Sequence, residues 1–320
     1  MTASAVGVCD PCRILSLDGG GAKGFYTLGV LKELEGIVAR PLCECFRLIF
    51  GTSTGSIIAG LLALGHAVDS VHKLYKDHVP SIMRQSDRTG RSTALVSAAA
   101  NVFANRTFSE FRTGVGIVAT RWDFEKPIIF KSDVGQAHGR QGTFVPGFGC
   151  SIAEAVTASC SAYPFFERRV ITTGDGQEIE VVDGGYCANN PTLYAIADGV
   201  RALRKQHSEL RVVSIGVGVY PPPNRRVTFR ERMAKRLIGS SAMELLQKTL
   251  DINTESMEQL RAVLFSDIKT VRINETFEQP EMATDLMESD PKKLGMLYQR
   301  GRVSFARHEG ELREIFGVSR

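Results

Sequence analysis

A serine between two glycines, at the junction of a strand-like and a helix-like stretch, is the first residue whose setting suggests chemistry. Residues 51–55 read GTSTG; they follow the strand-like run 46–50 (FRLIF) and precede an apolar stretch with helical spacing. In this context G-x-S-x-G predicts a sharp strand-to-helix turn that exposes the serine hydroxyl at the N-terminus of the helix. Ser53 is therefore the predicted nucleophile, although the short pattern also occurs in turns without chemistry.

A nucleophilic serine needs a base, and the chain offers a carboxylate rather than a histidine. None of the six histidines follows a strand in a glycine-rich setting, which argues against a Ser-His-Asp triad. Residues 178–185, EIEVVDGG, place Asp183 at the end of a predicted strand, the same kind of position as that of Ser53. An ordinary carboxyl with a pKa of about 3.9 is a weak base at neutral pH. A Ser-Asp pair would therefore need strong stabilisation of the oxyanion.

A glycine-rich loop near the N-terminus is the candidate for that stabilisation. Gly19, Gly21 and Gly24 have the G-x-G-x-x-G spacing of a dinucleotide-binding loop. That fold also needs an acidic residue at the end of the second strand, where this chain has GTSTG, and Lys23 is not followed by Ser or Thr as in a Walker loop. We therefore predict that Gly19, Gly20 and Gly21 line an oxyanion hole, with the positive charge of Lys23 nearby.

The elements that position these residues alternate between strand-like and helix-like stretches. Residues 13–17 and 46–50 are predicted strands, and each is followed by an apolar helix, a pattern typical of a mostly parallel sheet covered by helices. We predict one three-layer α/β/α domain over residues 1–320, with a helical C-terminal third. A domain boundary near residues 221–224 is the less favoured alternative.

Local signals predict where several of these elements begin and end. Ser151 and Glu154 form a capping box that predicts a helix start. Residues 69–113 are predicted to be helical, with breaks near Pro80 and Gly90, and Pro191 is predicted at the first position of a helix that continues to residue 207. The chain beyond residue 225 is predicted to be mostly helical, except for a last strand at residues 268–273.

Composition excludes several classes of protein. The chain has 320 residues, 43% of them hydrophobic, and a net charge of +4, which fits neither a disordered protein nor a dedicated nucleic-acid binder. No apolar run reaches the roughly 18 residues of a membrane span, and the N-terminus lacks the features of a signal peptide. We therefore expect a soluble cytoplasmic protein.

Seven cysteines raise the question of a metal site. Cys9 with Cys12 and Cys43 with Cys45 would supply four thiolates, but no histidine flanks them. Reduced, unligated thiols are the favoured interpretation for a cytoplasmic chain, and no metal is expected.

Three motifs in order, DGGGAKG at residues 18–24, GTSTG at 51–55 and DGG at 183–185, resemble those of patatin-like phospholipases. The segments ASCSAYPFF (158–166) and ANNP (188–191) add to the resemblance, which extends over residues 13–218. It implies a Ser53–Asp183 dyad, an oxyanion hole at the three loop glycines, and hydrolysis of lipid esters without calcium or another cofactor. The family often has arginine where Lys23 stands, so a contact of Lys23 with an anion or membrane is left open.

The resemblance also implies a membrane substrate and a form of control. Residues 225–237 are basic with interleaved apolar residues, so Arg225, Arg226 and Arg230 are candidates for contact with an anionic bilayer or a phosphate; a solvated helix face is the plain alternative. Short bacterial members of the family include antiphage effectors that degrade phospholipids at the inner face of the membrane once a cyclic dinucleotide binds. A constitutive lipid esterase or acyltransferase, and a non-catalytic scaffold or storage protein with a relict site, remain open.

Overall fold

A mixed eight-stranded sheet forms the centre of the computed structural model, which describes residues 10–222 and 239–319 and, for residues 239–243, the backbone only. The order is β5-β6-β3-β2-β1-β7-β8, with β4 paired to β3 beside this path. The strands are β1 Cys12–Leu17, β2 Leu48–Thr52, β3 Gly114–Arg121, β4 Lys126–Lys131, β5 Arg169–Thr172, β6 Glu178–Asp183, β7 Leu210–Ile215 and β8 Lys269–Ile273. The parallel part of the sheet consists of β3, β2, β1, β7 and β8, whereas β4, β5 and β6 join by antiparallel pairing.

Helices cover both faces of the sheet. They are α1 Gly24–Val38, α2 Leu42–Cys45, α3 Thr54–Ala63, α4 Val68–Met83, α5 Arg88–Phe103, α6 Ile152–Ser159, α7 Gly185–Ala188, α8 Thr192–Ala197, α9 Gly239–Leu264 and α10 Pro291–Phe316. The central strand β1 has apolar residues that face both helical layers. Leu15 packs into the larger core under α1 and α3, and Ile14 into the smaller core under α8. The predicted three-layer α/β/α fold is confirmed.

The predicted capping box is confirmed, whereas the predicted helical stretch 69–113 ends earlier, since α5 ends at Phe103, and its two predicted breaks are displaced. The capping box is present, with the Ser151 Oγ accepting from the Glu154 N–H at 3.2 Å. The break predicted near Pro80 comes later in the chain: α4 continues through Pro80 to Met83, since a proline removes only its own N–H donor from the helix. The break predicted near Gly90 is also misplaced. Asp87 caps α5, its carboxylate accepting from the Gly90 N–H, so the helix begins at Arg88 and includes Gly90.

The later elements differ from the prediction mainly in length. Pro191 lies just before α8, its carbonyl accepting from the Ala195 N–H, and the helical stretch ends by residue 202 rather than 207. The last strand and the helical C-terminal part are present in residues 239–319. In the two described ranges no helix is long and apolar enough to cross a membrane.

Candidate active site

The ends of two strands bring Ser53 and Asp183 together on β3. Because β4 pairs with residues 116–121 along one edge of β3, β2 and β6 must share the other edge. On that edge Thr52 pairs with Val118 and Asp183 with the next residue, Ala119. The parallel strand β2 and the antiparallel strand β6 therefore run towards each other and end at adjacent positions. This geometry places the predicted nucleophile beside the predicted base.

The turn that carries Ser53 is the sharp, strained one that the GTSTG pattern predicts. Ser53 has φ 51° and ψ −124°, a backbone conformation that a non-glycine residue adopts only under constraint. A Cβ on Gly51 would lie 2.3 Å from the carbonyl oxygen of Gly55, and one on Gly55 would lie 2.3 Å from that of Leu17. Both glycines are therefore needed for close backbone approach.

A serine that sequence reasoning missed holds this turn in place. The Ser53 N–H donates to the Ser159 Oγ at 2.8 Å, and the Ser159 hydroxyl donates to the Val118 carbonyl at 2.5 Å. Ser159 lies in the small-residue segment 158–166 at the end of α6. The signal in the sequence was that segment as a whole, which does not reveal which of its serines supports the turn.

Asp183 is almost fully buried, and its environment changes its acidity. Its side chain is 2% exposed, and its Oδ1 accepts from the Gly185 N–H at 2.7 Å. Burial raises the pKa of Asp183 to about 7, although hydrogen bonds from the Gly185 N–H and the Ser53 hydroxyl favour the charged form. The carboxyl is therefore a much stronger base than the ordinary carboxyl expected from sequence. A group that titrates near neutral pH is suited to general-base catalysis.

The glycine loop offers two free N–H groups rather than three. The Gly19 N–H is already donated to the Asn189 carbonyl at 3.0 Å, while Asn189 Nδ2 donates back to the Gly19 carbonyl at 3.2 Å. In the described part of the chain, the N–H groups of Gly20 and Gly21 have no acceptor, and both residues line the cavity that contains Ser53. Of the three glycines predicted to line an oxyanion hole, only Gly20 and Gly21 thus have an N–H group available at the cavity in the described structure.

The two charged residues of the DGGGAKG motif, Asp18 and Lys23, are buried. Lys23 is 3% exposed and is absent from the lining of the Ser53 cavity, so its side chain is not placed to contact a membrane surface. Burial lowers the pKa of its ammonium group, and the nearby carboxylates of Asp251, Asp285 and Asp18 oppose that shift. Asp18 is itself buried and accepts two hydrogen bonds from the Arg272 guanidinium, at 2.9 and 2.5 Å. This ion pair connects β8 to the residue that precedes the glycine loop.

Removing the cation of that pair should be costly. Arg272→Met leaves the buried Asp18 carboxylate unpaired, so we expect the free energy of unfolding to fall by about 3–5 kcal/mol. Urea denaturation followed by circular dichroism measures the change. Arg302→Met is the matched control, because its ion pair with Glu33 is largely exposed and should contribute less than about 1 kcal/mol. Equal losses in the two variants would contradict a structural role for the Asp18–Arg272 pair.

The cavity at Ser53 has mostly apolar walls from α3, α4, α5 and α9. They include the side chains of Ile57, Val79, Ile82, Leu95, Phe165 and Leu250. A second apolar cavity shares Ile57, Val79, Ile82 and Leu95 and extends to Phe103 and Val156. The two cavities adjoin through these four side chains, and we call their combined apolar lining the apolar path; it has the chemistry to hold a hydrocarbon chain.

Among the described residues, no histidine lines the Ser53 cavity. His72 has a packing role instead: its ring stacks on the ring of Tyr298 with centroids 3.9 Å apart, and burial lowers the pKa of His72 to about 4.

Cys12, Cys43 and Cys45 are buried free thiols, while Cys9 lies outside the described residues. Within residues 10–222 and 239–319 no group of three or more potential ligands could hold a metal ion. Arg225, Arg226 and Arg230 also lie outside the described residues.

Comparison with known families decides what kind of protein carries this site. The model of the patatin-like phospholipases matches residues 15–196, more than half of the chain, including the loop glycines, Ser53 and Asp183. The chain belongs to the patatin-like phospholipase family. A family member from Escherichia coli named cUMP-AMP-activated phospholipase is 59% identical over 304 residues, 95% of this chain and 93% of the relative.

More distantly similar proteins match over shorter shares of their length. The cGAMP-activated phospholipase of Escherichia coli strain TW11681 is 26% identical over 227 residues, 64% of this chain and 61% of the relative. Among solved structures, human GIVD cytosolic phospholipase A2 superposes with a TM-score of 0.50 at 10% identity, covering 96% of this chain and 60% of that one. At that identity the likeness supports the fold alone.

Proposed function

We propose that this patatin-like phospholipase cleaves ester-linked fatty acids from membrane phospholipids through a Ser53–Asp183 dyad. The observation that carries the proposal is the meeting of the Ser53 hydroxyl and the Asp183 carboxyl at one apolar cavity. In this proposal residues 1–320 act as one domain at the inner face of a membrane.

The chemistry follows from the positions of the groups. The Asp183 carboxylate accepts the Ser53 proton as the Ser53 Oγ forms a bond to the ester carbonyl carbon. The oxyanion of the tetrahedral intermediate accepts hydrogen bonds from the N–H groups of Gly20 and Gly21, each worth about 3 kcal/mol of barrier. When the intermediate collapses, the C–O bond of the alcohol breaks, and that oxygen takes the proton from Asp183. Asp183 then activates a water that hydrolyses the acyl-enzyme.

The apolar path from Ser53 supports a fatty acyl substrate. An acyl chain that lies along Ile57, Leu95 and Phe103 replaces water-exposed methylene groups with apolar contacts, each stabilising the complex by about 0.8 kcal/mol. A short polar ester would leave most of this path unused. The walls of the two cavities therefore favour long-chain lipid esters over small polar ones.

Control by a cyclic dinucleotide is the second part of the proposal. The relative that shares 59% of residues over nearly the whole chain is named for activation by cUMP-AMP. The proposed activator is therefore a cyclic dinucleotide of that class, and the proposed role is that of an antiphage effector. The oxyanion loop is not the proposed site of this nucleotide, since the chemistry assigns Gly20 and Gly21 to the ester.

Hydrolysis of phospholipid vesicles, measured with and without cUMP-AMP and cGAMP, tests both parts. We expect release of fatty acid that rises at least about tenfold with the matching nucleotide, and labelling of Ser53 by a fluorophosphonate probe in the activated protein. Full activity without any nucleotide would leave a constitutive lipid esterase. Transfer of the acyl group to an added alcohol in preference to water would indicate an acyltransferase, and lack of both labelling and hydrolysis would favour a scaffold.

A further inference from the structure

The turn between β3 and β4 carries two exposed aromatic side chains. Trp122 is 36% exposed and Phe124 is 56% exposed. Since β3 pairs in parallel with β2, the carboxyl end of β3 lies at the same end of the sheet as Ser53. The β3–β4 turn therefore extends from the end of the sheet that carries the proposed catalytic residues.

Two tyrosines join Trp122 to the wall of the cavity. The ring centroid of Trp122 lies 6.2 Å from that of Tyr163 and 6.1 Å from that of Tyr186. Ala162 and Phe165, on either side of Tyr163 in sequence, line the Ser53 cavity. We call Trp122, Tyr163 and Tyr186 the aromatic rim. Its Tyr186 packs against the cluster that contains Leu250 and Leu286, which also line the cavity.

Two arginines stack on this rim. The Arg88 guanidinium carbon lies 5.5 Å from the ring centroid of Tyr163, and that of Arg168 lies 5.5 Å from Tyr163 and 5.8 Å from Trp122. Arg88 is exposed and pairs with no carboxylate in the part of the chain that the structure describes, whereas Arg168 pairs with Glu180. Stacking on a ring holds a guanidinium in position, and the N–H groups of Arg88 stay free to bind phosphate.

We propose that the aromatic rim, Phe124 and the two arginines dock on the surface of a phospholipid bilayer. Tryptophan and tyrosine favour the boundary between headgroups and acyl chains, and arginine binds the phosphates there. This inference rests on the proposed function. A lipid that crossed water to reach Ser53 would expose its acyl chain at a cost of about 0.8 kcal/mol per CH₂. Docking at the rim avoids that exposure, because the rim adjoins residues that line the cavity.

The single tryptophan of the 320-residue chain makes the docking directly observable. Binding is measured on Ser53→Ala protein, which leaves the lipid intact, with mixed phosphatidylcholine–phosphatidylglycerol vesicles and cUMP-AMP present throughout. We expect the emission of Trp122 to shift to the blue and to be quenched by brominated acyl chains. Phe124→Asp and Arg88→Glu should each weaken vesicle binding. For Phe124→Asp we expect a loss of about tenfold, because the phenylalanine would be buried in the bilayer when the protein is bound. Val303→Asp is the matched control, because Val303 is equally exposed at 56% but lies on α10.

Activity measurements separate this inference from the proposed function. With Ser53 intact, Phe124→Asp should slow hydrolysis of vesicle lipid about tenfold and leave hydrolysis of a soluble short-chain ester unchanged. A wild-type protein inactive on both substrates would refute the proposed function without touching the fluorescence result. Emission from Trp122 that vesicles leave unchanged would overturn the docking surface. So would emission that shifts with protein concentration without lipid, which would assign the rim to a second copy of the chain.

Discussion

Replacing Ser53 by alanine is expected to lower phospholipid hydrolysis by at least about 10,000-fold, because no covalent acyl-enzyme can form without the hydroxyl. Fluorophosphonate labelling should disappear in the same variant. The fold should persist, since the Ser53 N–H keeps its bond to Ser159 and alanine meets the same backbone constraint at φ 51° as serine does. Release of fatty acid from vesicles, with the activating nucleotide present, measures the loss.

A serine elsewhere on the surface supplies the control for this variant. Ser81 lies exposed on α4, where its hydroxyl donates to the His78 carbonyl. Ser81→Ala should keep the wild-type rate within about twofold. Residual hydrolysis by Ser53→Ala above about 1% of wild type, with an unchanged unfolding midpoint, would show that another residue is the nucleophile.

The candidate site was predictable from sequence where its chemistry depends on short segments. The elbow at Ser53 needs only glycines within two residues on each side, and Asp183 needs only a strand end followed by two glycines. The order of the three motifs then indicated the family and the fold. What sequence did not reveal is that β2 and β6 end at adjacent positions of β3, since that depends on the register of three strands.

Tertiary contacts account for the rest of what sequence reasoning missed. The Gly19 N–H is unavailable because the Asn189 carbonyl, far away in sequence, accepts from it. The pKa of Asp183 rises because other elements bury the carboxyl, and no local pattern reports burial. The aromatic rim joins residues of the β3–β4 turn, the 158–166 segment and α7, which are far apart in sequence.

Replacing Asp183 by asparagine should abolish activity while making the protein more stable at alkaline pH. The folded-state pKa of about 7 lies above the value of about 3.9 expected in the unfolded chain. The protonated form is therefore favoured by folding, so the contribution of Asp183 to stability is present below pH 4 and is lost as pH rises through 7. The loss reaches about 4 kcal/mol once the group is fully ionised. Asparagine is neutral, and its Oδ1 can still accept from the Gly185 N–H.

Thermal and urea unfolding of the wild type and Asp183→Asn at pH 4 and pH 8.5 measure this difference. The two proteins should be nearly equally stable at pH 4, whereas at pH 8.5 the variant should unfold roughly 5–10 °C higher. Asp77→Asn, at an exposed position on α4, should show no such gap. The same titration should appear in the wild-type kcat/KM, which should rise with pH around 7 as Asp183 becomes able to accept the Ser53 proton. A stability gap that is absent at pH 8.5, or a kcat/KM that is flat from pH 5 to 9, would mean that Asp183 stays ionised throughout and that burial does not tune it as a base.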